Sequence, residues 1–383
     1  MSSPKLITAL AIGISLFSIK NHHSTLQRIN SSTLQLFNSS TGGGDSASKS
    51  LLHYDLEKHI KNIKQLTFDG DNAEAYWSFD SKKLIFQATN PKWSASCDQI
   101  FYYDITKGQS MDAIPPKLIS TGMGRTTCSY FLPGDSTILY ASTHLGSKEC
   151  PMPPEHRKDG KYVWAVYPDF DIFVAGLDGK IIKQLTNSPG YDAEATVSPK
   201  KDKIVFTSSR SGDMELYTMN IDGSNVKQIT HDLGYDGGAF FSPDGTKLVF
   251  RASRPKTDAD IKEYKELLAQ NLVMPTAMEL YTCNVDGSDM KQITHLGGAN
   301  WSPFFTPDGK KIIFSSNYKS NGAYPFNLYI INCDGTGLEQ VTSDNVFDAF
   351  PVFSPDGTKI VFSSHRLNTQ RHGINLFLAD WEN

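Results

Sequence analysis

The sequence predicts an all-β fold: a six-bladed β-propeller of four-stranded antiparallel blades, with the ring closed by an N-terminal strand. Three observations predict it. First, one unit, FFSPDGTKLVF at residues 240–250, returns as FTPDGKKIIF (305–314) and FSPDGTKIVF (353–362). Weaker copies are VSPKKDKIVF (197–206), FLPGDSTILY (131–140) and SFDSKKLIF (78–86). Repeats of this kind override the two or three domains that 383 residues would otherwise suggest. Second, the units are followed by two further recurring words, an alternating stretch that ends in Asp-Gly and then KQIT. Third, the last copy lacks its KQIT word, and a spare one, KQLT at 64–67, precedes the first copy.

Each word has a physical reading. In the repeat unit an apolar extended stretch meets Ser-Pro-Asp-Gly, where Pro presets φ and Gly admits the positive φ that a reversal needs. A second strand rich in β-branched and aromatic residues follows. ELYTMNID (215–222) alternates as a third strand. Asp222-Gly223, Asp286-Gly287 and Asp334-Gly335 are hairpin turns between alternating strands. KQIT at 227–230 and 291–294, degenerate at 339–342, is the fourth strand. Four antiparallel strands repeated six times describe a six-bladed propeller. The strand containing 64–67 is expected to complete the last blade beside 374–381, which also protects an open edge.

Ahead of the repeats, Lys5 followed by the mostly apolar residues 6–19 reads as a signal peptide over 1–20, with an uncleaved anchor as the alternative. Residues 21–60, rich in Ser, Thr, Asn and Gly at 21–50, are expected to be a flexible linker. The propeller is expected over 61–383, exported to a periplasm or secreted. A net charge of −4 with both signs interspersed argues against nucleic-acid binding.

The words SPDGTKIVF, DAEATVSP, LYTMNIDGSNVKQIT and NLYIINCDGTGLEQVT resemble the TolB-type propeller repeat of bacterial envelope proteins. The resemblance covers about residues 61–383. It implies the propeller fold and, since one fold hosts many activities, leaves the function to the site. No G-x-S-x-G nucleophile elbow is present.

Insertions mark one rim. Residues 90–98, 144–169, 255–277 and 318–326 all fall between second and third strands, on the rim where inner strands begin. Loops on a rigid scaffold carry function, so this rim is the expected binding face for a peptide, glycan or protein partner. Its residues align blade by blade. Inner-strand entrances carry Asn72, Thr126, Asp192, Asp236, Asn300 and Asp348. Two positions on stand Glu74, Cys128, Glu194, Gly238, Ser302 and Phe350. The next ring is Asn90, His144, Arg210, Arg254, Tyr318 and Arg366, with Arg251 and His365 beside it. Asp192, Asp236 and Asp348 are as readily structural caps as ligands. Glu74, Glu194, His144, Arg251 and Arg254 vary between blades and are read as ligand groups. No motif demands a cofactor. Glu74, Glu194 and His144 would hold a divalent metal at the mouth if one were bound, or serve a lyase or hydrolase as acid and base. The aspartates of the turns, Asp244, Asp308 and Asp356, lie on the opposite face as turn formers.

Five cysteines cannot all pair within the chain. Cys97, Cys128 and Cys150 share the insert-bearing rim and are expected to supply one disulfide; Cys283 and Cys333 are expected to be free. Within 257–272, Thr257 with Asp260 forms a capping box, and Ile261, Tyr264, Leu267, Leu268 and Leu272 share one helical face. A short helix is expected there, packed on its own blade or lying over the mouth.

Overall fold

A computed structural model describes residues 52–108, 110–320, 325–343, 345–367 and 373–383. The signal-like segment and most of the expected linker lie outside the described residues.

The repeat unit folds as its chemistry requires. In blade four, Asp236–Phe241 is the inner strand and Lys247–Ala252 the second. The turn between them is fastened by Ser242, whose Oγ accepts from Lys247 N at 2.9 Å and donates to Asp244 Oδ1 at 2.5 Å. Asp244 also accepts from Thr246 N at 3.0 Å, and Gly245 has φ 64°. These bonds, that from Ser242 foremost, hold the Asp244 carboxyl below its usual range. The expectation that the turn aspartates are structural agrees with this geometry.

The second and third strands of every blade bring one aromatic pair together, stacked or tilted by up to 37°. The pairs are Phe86–Phe101, Tyr140–Phe173, Phe206–Tyr217, Phe250–Tyr281, Phe314–Tyr329 and Phe362–Phe377, with ring centroids 5.8–6.3 Å apart. The second-strand ring is wholly buried in each pair. Such cross-strand pairs add about 0.5–1.5 kcal/mol beyond their area.

The KQIT word has its own logic. In blades three to five the fourth strand is two residues long, as in Lys227–Gln228. The threonine that follows then takes the next rung with its side chain: Leu216 N donates to Thr230 Oγ1 at 2.8 Å, and Thr294, Thr342 and Thr67 repeat the contact. A hydroxyl replacing a backbone carbonyl frees the chain to turn into the next blade.

Six four-stranded antiparallel sheets result. The last contains Asp348–Phe353, Lys359–Ser364 and Asn375–Trp381, and its outer strand is Ile60–Gln65 from the other end of the chain. Closure by the N-terminal strand is therefore present. The folded part starts earlier than expected, and residues 52–60 are not a linker. Glu57 is fully buried, and its carboxylate takes the Arg366 guanidinium at 2.7 Å. A carboxylate in that position anchors the segment, because leaving either ion unpaired in the interior is costly.

The helix forms at Asp258–Leu268, with the Thr257–Asp260 capping box in place. Tyr264 and Leu267 are its buried residues, and the Tyr264 hydroxyl bonds Asp213 of blade three. The helix therefore packs on the rim, and the segment after it crosses the mouth. Among the described residues no helix is long and apolar enough to cross a membrane.

Candidate functional site

Each inner strand is interrupted at the same place. The register against the second strand shifts between Ala73 and Tyr76, and at the equivalent step of all six blades. At each bulge one residue adopts positive φ: Glu74 (52°), Cys128 (47°), Glu194 (56°), Gly238 (60°), Ser302 (52°) and Phe350 (55°). Left-handed backbone is unfavourable for every residue here but Gly238. Bulges re-aim side chains, and these six line one cavity on the axis. The backbone rule repeats in every blade while the side chains do not, which is the pattern expected of a site built on a scaffold.

The cavity is bordered by a layer of side chains on each side. Towards the insert-bearing face, Trp164–Ala165 from the blade-two insert pairs with Leu272–Val273 from the blade-four insert. This two-stranded lid sets the Trp164 ring 5.3 Å from the Arg251 guanidinium and 5.2 Å from the Trp301 ring. Towards the other face, Tyr76 of blade one meets Phe240 of blade four at 5.9 Å across the axis, with Tyr130 and Phe304 beside them. Beyond this aromatic layer a second cavity, about 190 Å³, opens among the turn prolines Pro199, Pro243, Pro307 and Pro355.

Inside the chamber Glu194 is fully engaged. It accepts from Tyr235 OH at 2.6 Å, Thr207 Oγ1 at 2.7 Å and Gly238 N at 3.0 Å, and it binds the Arg251 guanidinium. Gly238 leaves room for Arg251, since a Cβ there would stand 2.5 Å from Nη1. Glu74 is less well served. Its Oε2 accepts from Cys128 Sγ at 3.2 Å and Tyr76 OH at 3.3 Å, and it has no bonded cation. Burial pushes the Glu74 carboxyl up to about 7, against the hydrogen bond from Cys128 and the more distant Arg251 charge.

The rim ring is structural. Arg210 pairs with Asp192 at 2.8 Å, Arg254 with Asp236 at 2.6 Å and Arg366 with Asp348 at 3.1 Å. Each guanidinium also lies 5.0–5.2 Å from an aromatic ring of its own blade. Asp192, Asp236 and Asp348 are buried, so these pairs tie the inner strand to the loop after the second. The charge of Arg254, read from the sequence as a ligand group, is taken up by Asp236, as those of Arg210 and Arg366 are by Asp192 and Asp348. His144 bonds Ser142 Oγ at 2.9 Å and packs 4.5 Å from Phe173, on its own blade. Burial holds its imidazole below the usual range. It does not join Glu74 and Glu194. Among the described residues no three His, Cys, Asp or Glu side chains stand close enough to hold a metal ion. His365 packs against Phe347, 5.6 Å away.

The sequence matches the family model described as the TolB beta propeller domain over residues 151–274 and 276–371, more than half of the chain. The chain belongs to the TolB β-propeller domain family. Among solved structures, this TolB-type propeller is similar to one named as TolB from Agrobacterium tumefaciens, with TM-score 0.53 and 17% identity over 85% of this chain and 98% of that one. It is similar to TolB from Acinetobacter baumannii with TM-score 0.49 and 18% identity, over 82% of this chain and 65% of that one. An oligogalacturonate lyase in complex with manganese gives TM-score 0.48 and 14% identity, over 84% of this chain and 80% of that one. At these identities the likeness shows the fold alone. No curated protein matches the chain.

The disulfide of this TolB-type propeller joins Cys97 to Cys150, linking the inserts of blades one and two, and Cys128, Cys283 and Cys333 are free. Beside the bridge, Arg125 and Asp98 form a buried pair at 3.3 Å. Sequence reasoning missed Trp164, Trp301 and Tyr235 as site residues. Tyr235 precedes the aligned entrance residue Asp236, outside the aligned ring, and Trp164 lies in an insert with no repeat to align.

Proposed function

We propose that the chain is an exported TolB-like propeller that binds a peptide, glycan or protein partner at its insert-bearing face, with one end of the partner entering the axial chamber. The observation that carries this is the lid. The two longest inserts leave different blades and meet through two paired residues on each side, with Lys161 bonded to Glu263 at 2.7 Å and Val166 N to Asn271 O at 2.8 Å, beside the side chains that the bulges turn inward. This cover is a two-residue ladder with exposed ion pairs at its edge, against the four-stranded sheet of a blade, so it opens at smaller cost than a blade. Export is supported by the signal-like residues 6–19 and by the Cys97–Cys150 bridge, which suits an oxidising compartment.

A catalytic reading is favoured by one feature. A carboxyl poised near neutrality, as Glu74 is, suits a general acid or base. Its expected partner His144 sits elsewhere, so binding is the reading the arrangement supports best.

The test is a panel of short synthetic peptides and acidic oligosaccharides, titrated while tryptophan emission is recorded. Binding at the chamber should be weakened by Glu74→Gln and Trp164→Ala and left unchanged by Asp308→Ala on the opposite face. Binding that survives both chamber substitutions but is lost in Phe304→Ser would put the site in the opposite cavity and defeat the proposal.

A further inference from the structure

The chamber side chains have unequal hydrogen-bonding balances, and the imbalance defines what fits. Arg251 is neutralised: its Nη2 bonds Glu194 and, at 3.0 Å, Tyr235 OH. Glu74 is not neutralised, and both of its hydrogen bonds go to one oxygen, Oε2. Two further polar atoms are left over. Ser302 Oγ and Arg251 Nε are buried without a hydrogen-bond partner, and both residues are more than nine-tenths buried and line the same chamber as Glu74. The walls around them are aromatic: Trp164, Trp301, Tyr191 and Phe350. The faces of such rings attract a cation, more strongly when water is excluded. The space is small, about 60 Å³ under the lid, where a single water needs roughly 10–15 Å³. It admits the end of a ligand and not its body.

We propose that the chamber is a subsite for a primary ammonium group, which donates to Glu74 and Ser302 against the faces of Trp164 and Trp301. The proposal rests on the lid-covered chamber being the binding site. The ammonium offers three donors where the chamber has a spare carboxylate oxygen and a spare hydroxyl. A ligand carbonyl next to the amine would take the spare Arg251 Nε–H. Charge balance agrees. The ionisable and charged groups that bear on Glu74 are Arg251, Glu194, Tyr76 and Cys128. With Arg251 engaged by Glu194, the empty chamber favours a proton on Glu74, and a bound ammonium replaces that proton. The amine comes from a chain N-terminus or from a lysine side chain; the chemistry is shared.

The experiment titrates the full chain with methylammonium, glycinamide, tetramethylammonium and acetate at about pH 6 and pH 8, reading tryptophan emission and heat. With Glu74 titrating at about 7, ionisation over that interval should tighten methylammonium binding about tenfold and glycinamide, whose α-amine is about half deprotonated at pH 8, about fivefold. Proton release should be visible as a dependence of the heat on the ionisation enthalpy of the buffer. Tetramethylammonium, which has no N–H, and acetate should not compete. Glu74→Gln should abolish the pH dependence of methylammonium binding, and Ser302→Ala should weaken binding several-fold in a chain with unchanged melting temperature. A lysine-free peptide with a free N-terminus and an N-acetylated peptide carrying lysine identify the source, and binding of either supports the proposal. Equal affinity at the two pH values, or equal binding of acetate, would overturn it. If the peptides bind beneath the lid while neither amine probe binds, the ammonium subsite fails and the binding face stands. If amines bind a chain whose lid is cross-linked shut as well as the open chain, the route through the lid fails and the subsite stands.

Discussion

Arg251 and Arg254 sit on one stretch of blade four, and their surroundings give them different work. Arg254 holds the fully buried Asp236 at 2.6 Å beneath the rim. Arg254→Ala leaves that carboxylate without its cation, and should cost about 3 kcal/mol of stability at neutral pH. The loss should shrink in acid, where Asp236 takes up a proton, and urea denaturation at both pH values checks it. A second carboxyl adjoins the pair. Burial, with Asp236 and Asp213 adding to it, holds Glu215 well above the usual carboxylate range. The sign follows from linkage. A carboxyl whose folded pKa is raised contributes stability that is complete below its unfolded value and is lost as pH rises through the folded one. The protein should therefore lose stability between about pH 5 and pH 9 through this group, and Glu215→Gln should flatten that part of the profile. An unchanged profile in the variant would show that Glu215 stays ionised throughout.

At the scale of the elements, the closing strand and the disulfide each make a definite prediction. Deleting residues 61–68 removes most of Ile60–Gln65 and the Thr67 hydroxyl that receives Leu376 N at 2.8 Å. The strand Asn375–Trp381 then presents an open edge, and aggregation or a large fall in melting temperature is expected. Equal melting temperatures for the shortened and full chains would contradict the closure. The Cys97–Cys150 bridge spans a sequence separation of 53. Replacing both cysteines by serine should cost about 2–4 kcal/mol, mainly by freeing the unfolded chain. Thiol counting on denatured, unreduced protein should find three free cysteines.

For the molecule as a whole, the fold was far more legible in the sequence than the site. Turn, aromatic pair and threonine rung each answer a local need, so each leaves the same word in blade after blade, and the words could be read in line. The site depends on what does not repeat. Six bulges give six residues one backbone conformation, and nothing in a strand-like stretch such as AEA or TCS announces positive φ. The rim ring misled for a related reason. Arg254 looked like a variable ligand group, yet it, like Arg210 and Arg366, closes an ion pair with an aspartate eighteen positions back in its own blade. The lid was out of reach altogether, because Trp164 and Leu272 come from inserts without counterparts and meet only across the mouth.

The central claim is that ligand reaches the axial chamber through the lid on the insert-bearing face. The most direct measurement uses the cross-strand pair Ala165 and Leu272. A chain carrying Ala165→Cys and Leu272→Cys is titrated with the same peptide panel, oxidised and then reduced, with tryptophan emission as the readout. Binding lost in the oxidised chain and restored on reduction is the predicted result. Equal binding in the two states would contradict the account.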